Sequence, residues 1–284
     1  MSKIKFHIDD FGLTKSISKN LIFLLKKKPN SIKAISIIVN TNKKVNLFAK
    51  KILKINDKIS IYLHLNLVDG KPLSKKLTKI VNTKGFFKNS FLKLLLIKFN
   101  PFFKIYKLEI KKEIENQIKV YLKLLKNINY KKPNQIYLDS HQHLHMLPWV
   151  FDLILELSKK YNIIFIRSTS EPFILSDTTN IFKVWFYKNL LKFIILRTFN
   201  YINLKKIKLK NIKTNQFFYG IINSGHMNNN YIKKIKKLKR SNYQILFHPN
   251  IAHKNEKNIF DNEKKIEYYL SKERAQEYNF LGKN

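Results

Sequence analysis

The 284-residue sequence contains no cysteine. This absence excludes structural disulfides, metal sites built on thiolates and a cysteine nucleophile. The chain also lacks the polar composition of a disordered protein, since 44% of its residues are hydrophobic and 13% are aromatic. Its length suits one large domain, and we expect residues 1–284 to fold as a single domain.

Arginine is scarce. Arg167, Arg197, Arg240 and Arg274 are the only arginines among 56 basic residues, and lysines account for most of the formal net charge of +38. Proteins that read nucleic acids use arginine at base edges and concentrate positive charge on one face. Lysines dispersed along the whole chain indicate a compositional bias instead, so we expect no specific nucleic-acid partner. Weak association with an anionic membrane or glycan follows from the charge in either case.

The sequence has no stretch of about 20 largely uncharged residues, which a membrane-spanning helix needs. The most apolar segment, residues 181–196, is interrupted by Lys183, Lys188 and Lys192. This pattern predicts a helix packed on a core, with lysine stems lying along it. The first apolar run is too short for a signal peptide, so we expect a cytoplasmic protein. The oligomeric state stays open, with a homodimer as one alternative.

Short apolar runs that predict strands alternate with amphipathic stretches that predict helices. Strands are expected at 3–8, 32–39, 58–67, 135–141, 163–168 and 244–249, and helices at 14–28, 46–53, 108–128, 149–161 and 181–197. This alternation is typical of a parallel sheet with helices outside it, and in a chain of this length it favours a barrel or near-barrel. Residues 68–105 are an excursion from the pattern, and residues 172–215 include a variable helical region.

Acids, imidazoles and an amide stand where four predicted strands end. They are Asp9 and Asp10, His64 and Asn66, Asp139 and His141, and His248. Barrel active sites collect at the carboxyl ends of the strands, so we expect these side chains to meet. The segment after the fourth strand is unusual, because His141, His143 and His145 are three of only eight histidines in the chain.

The residue types at these strand ends suit metal chemistry. A carboxylate and two imidazoles together can bind a divalent ion such as zinc. An open position on such an ion holds water and lowers its pKa, and a neighbouring carboxylate can act as general base. Successive residues of a strand alternate sides, so we expect one of Asp9 and Asp10 to ligate while the other takes a proton.

Three motifs resemble those of the YdjC-like carbohydrate deacetylases, a family that includes chitooligosaccharide and hopanoid-biosynthesis deacetylases. The motifs are HIDDFGLTKSISKNL at 7–21, LHLNLVDGKPL at 63–73 and YLDSHQHLHMLP at 137–148. Weaker similarities continue in order to about residue 250. The resemblance implies a distorted TIM-like (β/α) barrel of the glycoside hydrolase/deacetylase type. It also implies metal-dependent hydrolysis of an acetyl group on an N-acetylated sugar, an oligosaccharide or a glycolipid precursor.

Matched by position, the family assigns roles to five residues. The resemblance implies that Asp10, His64 and His141 ligate one divalent ion, magnesium or zinc. It implies that Asp9 is the catalytic base and that His248 is the general acid or contacts the leaving group.

Other candidates surround these five. Asp139 or His143 would orient His141, since metal-binding histidines need a second hydrogen-bond partner. His145 would line the substrate cleft, and Asn66 would support the metal or contact the substrate. Arg167 and Glu171 match family positions. Each is expected either to contact the sugar or metal ligands or to form an internal ion pair.

The sequence departs from the family pattern at Gln142, Gln244 and Asn250, where His, an acid and Gly are common, and Gln216 lies near a usual Asp. These departures and the net charge leave open a non-catalytic, polyanion-binding protein on a decayed deacetylase scaffold. A further alternative is an amidohydrolase-type metal hydrolase, because residues 141–143 read His-Gln-His. In that group, however, the histidine pair normally closes the first strand.

Overall fold

Seven parallel strands form one sheet in the described part of this computed structural model, which covers residues 6–177, 181–251, 267 and 269–283. The strands are β1 (Phe6–Phe11), β2 (Ile32–Ile37), β3 (Ser60–Leu65), β4 (Ile136–Ser140), β5 (Ile163–Ile166), β6 (Phe217–Tyr219) and β7 (Tyr243–Phe247). Their order across the sheet is β5-β4-β3-β2-β1-β7-β6. Strand β1, which carries the two aspartates, therefore lies near the middle of the sheet.

The sheet curls until its two edge strands approach each other. Next to β5, Ile166 N donates to Lys213 O at 3.0 Å and Lys213 N donates to Ile164 O at 2.9 Å. In β6, Phe218 N donates to Ser170 O at 3.0 Å. The expected α/β barrel is therefore confirmed as a curled seven-stranded sheet, whose edges are joined by a few hydrogen bonds rather than by a regular ladder.

The described residues also form eight α-helices. They are α1 (Lys15–Lys27), α2 (Val45–Ile55), α3 (Phe91–Leu96), α4 (Phe103–Asn127), α5 (Pro148–Leu157), α6 (Val184–Lys208), α7 (Asn229–Lys237) and α8 (Lys272–Lys283), with 3₁₀ turns at Ile97–Phe99 and His141–Met146. All six predicted strands and five predicted helices are present, with most ends within five residues of the prediction. Thr14 caps α1 as expected, since its hydroxyl accepts a hydrogen bond from Ile17 N at 3.1 Å.

Four elements were not predicted, namely β6, α3, α7 and α8. Strand β6 has three residues and α3 has six. Both are too short to show the alternation of a strand or the helical repeat of apolar residues. Helix α6 was predicted but is longer than expected, running to Lys208. None of the helices within the described ranges is both long enough and apolar enough to cross a membrane.

The excursion at 68–105 is fastened to α4 by two glutamates one turn apart. The Glu109 carboxylate accepts hydrogen bonds from the backbone N–H groups of residues 78–80 at 2.8–3.1 Å. The buried Glu113 carboxylate accepts from Leu73 N and Ser74 N at 3.0 and 2.8 Å. These contacts fix residues 73–80 of the excursion against α4.

Candidate active site at the carboxyl ends of the strands

Asp9 and Asp10 at the end of β1 both point into the curled sheet. The pairing of β1 with β2 is irregular between Ile8 and Phe11, and Asp10 has a left-handed backbone with φ of 64°. Both carboxylates are consequently buried, at 2% and 1% exposure. The expected alternation of sides is therefore wrong, because the left-handed residue turns the second aspartate back toward the first.

The turn that follows needs its glycine. Gly12 has φ of +89°, and a Cβ there would lie 2.5 Å from the backbone oxygen of Ile38. Ile38 N also donates to Phe11 O at 2.8 Å, which holds the end of β1 against the chain after β2. The Asp-Asp-Phe-Gly sequence thus fixes the backbone that presents the two carboxylates.

Asp10, His64 and His141 converge from the ends of β1, β3 and β4, and we call them the ligand triad. The distance from Asp10 Oδ1 is 2.7 Å to His141 Nδ1 and 3.4 Å to His64 Nε2. Ligand atoms from all three lie within 4.8 Å of one another, and all three residues are buried. One carboxylate oxygen and two imidazole nitrogens at this spacing fit a single divalent ion.

The electrostatics of the triad favour a bound cation. Burial by itself would lower the pKa of His64, but the carboxylates of Asp9 and Asp139 raise it to about 10. Burial likewise opposes charge on His141, whose pKa the Asp10 carboxylate raises. A proton and a metal ion therefore compete for these imidazoles, as they do at histidine metal sites generally.

His7, Asp9 and Asp139 form a second group of potential ligands in the described chain. This group already has a cation, the fully buried guanidinium of Arg167. Arg167 Nη1 donates to Asp9 Oδ2 at 2.7 Å, and Nη2 lies 2.9 Å from Asp9 Oδ1 and 2.5 Å from Asp139 Oδ2. Burial and Arg167 lower the pKa of His7 to about 3, so His7 is neutral. The ligand triad is accordingly the better metal candidate.

Arg167 also sets the state of Asp9. Burial opposes the charge on Asp9, but the guanidinium holds the pKa of this carboxyl well below its usual range. Asp9 Oδ2 lies 3.8 Å from His64 Nε2, so an ionised carboxylate stands directly beside the triad. Gln244 steadies the arginine by accepting from Arg167 Nε at 3.1 Å.

Two residues near the C-terminus complete the site, and the sequence motifs did not indicate either as a site residue. Arg274 Nη2 donates to Asp10 Oδ2 at 2.8 Å. The Tyr269 hydroxyl donates to Asp69 Oδ2 at 2.7 Å and lies 2.6 Å from His141 Nε2. The one available signal was that Arg274 is one of only four arginines.

A small cavity of about 30 Å³ opens beside the triad, enough for one or two water molecules. Its lining includes Asp9, His141, Lys192, His248 and Arg274. Burial lowers the pKa of His248 to about 4 and that of Lys192 to about 8. His248 is therefore a neutral imidazole near pH 7, in the same cavity as the Asp9 carboxylate.

A family model of YdjC-like proteins matches residues 3–284. The chain belongs to the YdjC-like family. Curated relatives include carbohydrate deacetylases of Clostridium beijerinckii, 28% identical over 57% of this chain and 58% of that one, and of Thermoanaerobacter pseudethanolicus, 29% identical over 60% and 61%. A relative of the same description from Xenopus laevis is 27% identical over 56% of this chain and 48% of that one. The alignments therefore span less than two thirds of the curated relatives.

The fold of this YdjC-like chain matches a solved structure from Enterococcus faecalis V583, that of a proposed cellobiose-phosphate cleavage protein. The TM-score is 0.60 at 15% sequence identity, over 98% of this chain and 94% of that one. At this identity the match shows the shared fold alone.

Within this YdjC-like site, Asp139 was expected to orient His141, but it orients His64 instead. His64 Nδ1 donates to Asp139 Oδ1 at 2.6 Å, whereas His141 Nδ1 donates to Asp10. His143 orients neither imidazole. Residues 142 and 143 both have left-handed backbones, and His143 packs edge-on against Phe218 at 5.5 Å between ring centroids. Among the described residues, no hydrogen-bond partner meets His143 Nδ1.

Three further candidates hold the backbone around the site in place, namely His145, Asn66 and Glu171. His145 is fully buried between Ser140 Oγ, 2.7 Å from its Nδ1, and the backbone oxygen of Arg167, 3.0 Å from its Nε2. Asn66 closes the turn that follows β3, with its side chain bonded to Asp69 O and Asp69 N at 2.8 and 3.0 Å. This turn places the Asp69 carboxylate beside His141.

Glu171 holds the backbone of the loop after β6. Its carboxylate accepts hydrogen bonds from the N–H groups of residues 220–222 at 2.9–3.1 Å and from the Tyr231 hydroxyl at 3.0 Å. Glu171 therefore does not form an ion pair with Arg167, whose guanidinium binds Asp9 and Asp139. Burial raises the pKa of Glu171 to about 7.

Proposed function

We propose that this protein is a metal-dependent carbohydrate deacetylase, which hydrolyses the acetyl group of an N-acetylated sugar. The convergence of the ligand triad with an ionised carboxylate, Asp9, beside one small cavity supports this activity most directly. The names of the curated relatives agree with it.

Asp10, His64 and His141 are the residues that would hold the ion. Two imidazoles among three donors favour zinc or a similar transition ion, and magnesium is the alternative, although it prefers oxygen ligands. When bound, the ion supplies a Lewis acid that polarises the acetyl carbonyl and makes a nearby water more acidic. The Asp139 carboxylate fixes the orientation of the His64 ring through its 2.6 Å hydrogen bond.

The remaining groups handle protons. Asp9 is ionised because of Arg167, and it can accept the proton of the attacking water. His248, a neutral imidazole in the same cavity, can donate a hydrogen bond to the departing nitrogen, and the proton that Asp9 takes from the water can pass to that nitrogen. Overall, the amide C–N bond breaks, the acetyl carbon gains the water oxygen, and the nitrogen leaves with a proton.

The decisive experiment measures acetate released from N,N′-diacetylchitobiose and a panel of acetylated sugars. The protein is stripped of metal and then supplied singly with zinc, magnesium, manganese or cobalt. We expect one or more ions to restore activity, and His64→Ala or Asp9→Asn to lower it by about a hundredfold or more. His226→Ala is the matched control, because this histidine stacks on Trp185 and does not line the catalytic cavity.

Three outcomes would count against the proposal. Activity that survives chelation would exclude the metal, and full activity in His64→Ala would exclude the assigned ligand. If no sugar in the panel released acetate and the protein bound no ion, the decayed-scaffold alternative would be favoured. The amidohydrolase alternative loses its main support, because His143 packs against Phe218 and lies outside the ligand triad.

A further inference from the structure

A groove of about 600 Å³ opens next to the ligand triad, between α3 and α6. Its walls are mainly apolar, formed by Phe91, Leu92 and Leu95 on one side and by Leu191 and Ile195 on the other. At 61% exposure each, Leu92 and Leu191 face outward at the groove. Large apolar side chains left open to water beside an active site indicate a ligand with an apolar part.

The groove and the catalytic cavity are neighbours that share part of their lining. Gln142 and Lys192 line both of them, and Asp69 and Tyr269, which contact His141, stand at the polar end of the groove. One end of a molecule bound in the groove would therefore lie close to the residues that contact His141.

Two lysines outnumber the one carboxylate, that of Asp69, in the lining of the groove. Lys188 and Lys192 are one helical turn apart on α6, and both line the groove. Lys192 is shared with the cavity that contains Asp9. An anionic group bound by Lys192 would lie where the lining of the groove meets that of the cavity.

The apolar wall does not have the chemistry of a sugar platform. Sugar rings bind to aromatic faces flanked by hydrogen-bonding groups, whereas four of the five apolar wall residues are leucine or isoleucine. Trp149, the nearby tryptophan, is buried at 4% exposure, and its Nε1 donates to Leu94 O at 2.9 Å. It secures α3, and Phe91 is the one aromatic residue among the five apolar wall residues.

We propose that the groove binds the hydrocarbon chain of an amphiphilic substrate, whose acetylated sugar is joined to that chain through a phosphate. The chain lies between α3 and α6, the phosphate pairs with Lys188 and Lys192, and the acetylated sugar reaches Asp9 and the triad. The acetyl chemistry rests on the proposed function, while the binding of the chain and the phosphate does not depend on it.

Binding is tested first, with alkyl phosphates of four to twelve carbons titrated calorimetrically below their micelle concentrations. We expect the affinity to rise roughly two- to fourfold for each added methylene until the groove is filled. Leu191→Ser should flatten this series, and Lys188→Gln should weaken every member about equally. The matched controls are Leu108→Ser, 65% exposed on α4, and Lys208→Gln at the end of α6.

Affinity that is independent of chain length, or equal losses in groove variants and controls, would overturn the inference. So would a dimer in analytical ultracentrifugation that Leu191→Ser converts to monomer, because a second copy of the chain would then fill the groove.

Measurements of acetate release distinguish a failure of the amphiphilic substrate from a failure of the deacetylase activity. Acetate release from N-acetylglucosaminyl alkyl phosphates should increase in kcat/KM with chain length, and Leu92→Ser should reduce the ratio between long and short chains. Equal kcat/KM for all chain lengths would preserve the deacetylase and overturn the amphiphilic substrate. Chain-dependent binding without acetate release from any sugar would overturn the deacetylase and retain the groove as an amphiphile site.

Discussion

Asp139 and His64 face each other across β4 and β3, and His64 Nδ1 donates to Asp139 Oδ1 over 2.6 Å. The parallel register makes these two residues direct partners, so the sheet itself sets the contact. With Nδ1 bound to Asp139, the other nitrogen of His64 faces Asp10 at 3.4 Å. A carboxylate that orients a ligating imidazole is a common support of metal sites.

Replacing Asp139 by Asn should weaken metal binding by roughly 10- to 100-fold, because the amide orients His64 without a charge. Competition with a chromophoric chelator measures this affinity. Asp152→Asn, at an exposed ion pair with Lys206, serves as the control. Unchanged affinity in Asp139→Asn would show that the contact has no part in ligation.

Arg167→Lys should move the acid limb of the activity profile toward higher pH by about one unit. Lysine lacks the planar pair of donors that holds both oxygens of Asp9, so the pKa of Asp9 rises and the base is protonated at a higher pH. The measurement is kcat/KM against pH, with Arg197→Lys as control. An unshifted acid limb, with only a lower melting temperature, would mean that Arg167 acts solely in folding.

Arg274→Gln should tighten divalent-ion binding roughly tenfold, since a positive charge is removed from Asp10 Oδ2. Calorimetric titration with zinc measures the change, and Arg240→Gln, whose guanidinium lies over Phe217, is the comparison. Weaker binding in Arg274→Gln would indicate that the arginine mainly positions the carboxylate, and the electrostatic expectation would be wrong.

Stability should fall as the pH drops from about 6.5 toward 4, partly because of His145. Burial lowers the pKa of His145 from 6.5 to about 4, so the unfolded chain binds a proton in this range that the folded chain refuses. The contribution is complete above pH 6.5 and amounts to about 3 kcal/mol lost by pH 4. Urea unfolding across this range should show a shallower decline for His145→Gln than for the unchanged protein. Parallel declines would assign the loss to other groups.

The order of the main strands and helices could be predicted from the sequence, because side-chain alternation and helical amphipathicity are local properties of the chain. The same holds for the positions of Asp9, Asp10, His64 and His141 at strand ends. Parallel strands bring their carboxyl ends to one edge, so these residues were expected to meet before their distances were known.

The contacts of individual side chains could not be predicted in this way. His143 and His145 share a short motif with His141, yet left-handed residues at 142 and 143 turn the chain, so that His143 packs on Phe218 and His145 supports the backbone of Arg167. Dihedral angles of this kind leave no periodic signal in a sequence.

What the sequence by itself determined is the alternation of elements, the family motifs and the strand ends on which the candidate residues stand. Only the tertiary structure decided that Arg167 binds Asp9 from 158 positions away, that Arg274 reaches Asp10 from 264 positions away, and that α3 and α6 form an apolar groove. The physical reason is that such contacts depend on how far the sheet curls and where the helices pack, and both are set by the whole core rather than by neighbouring residues.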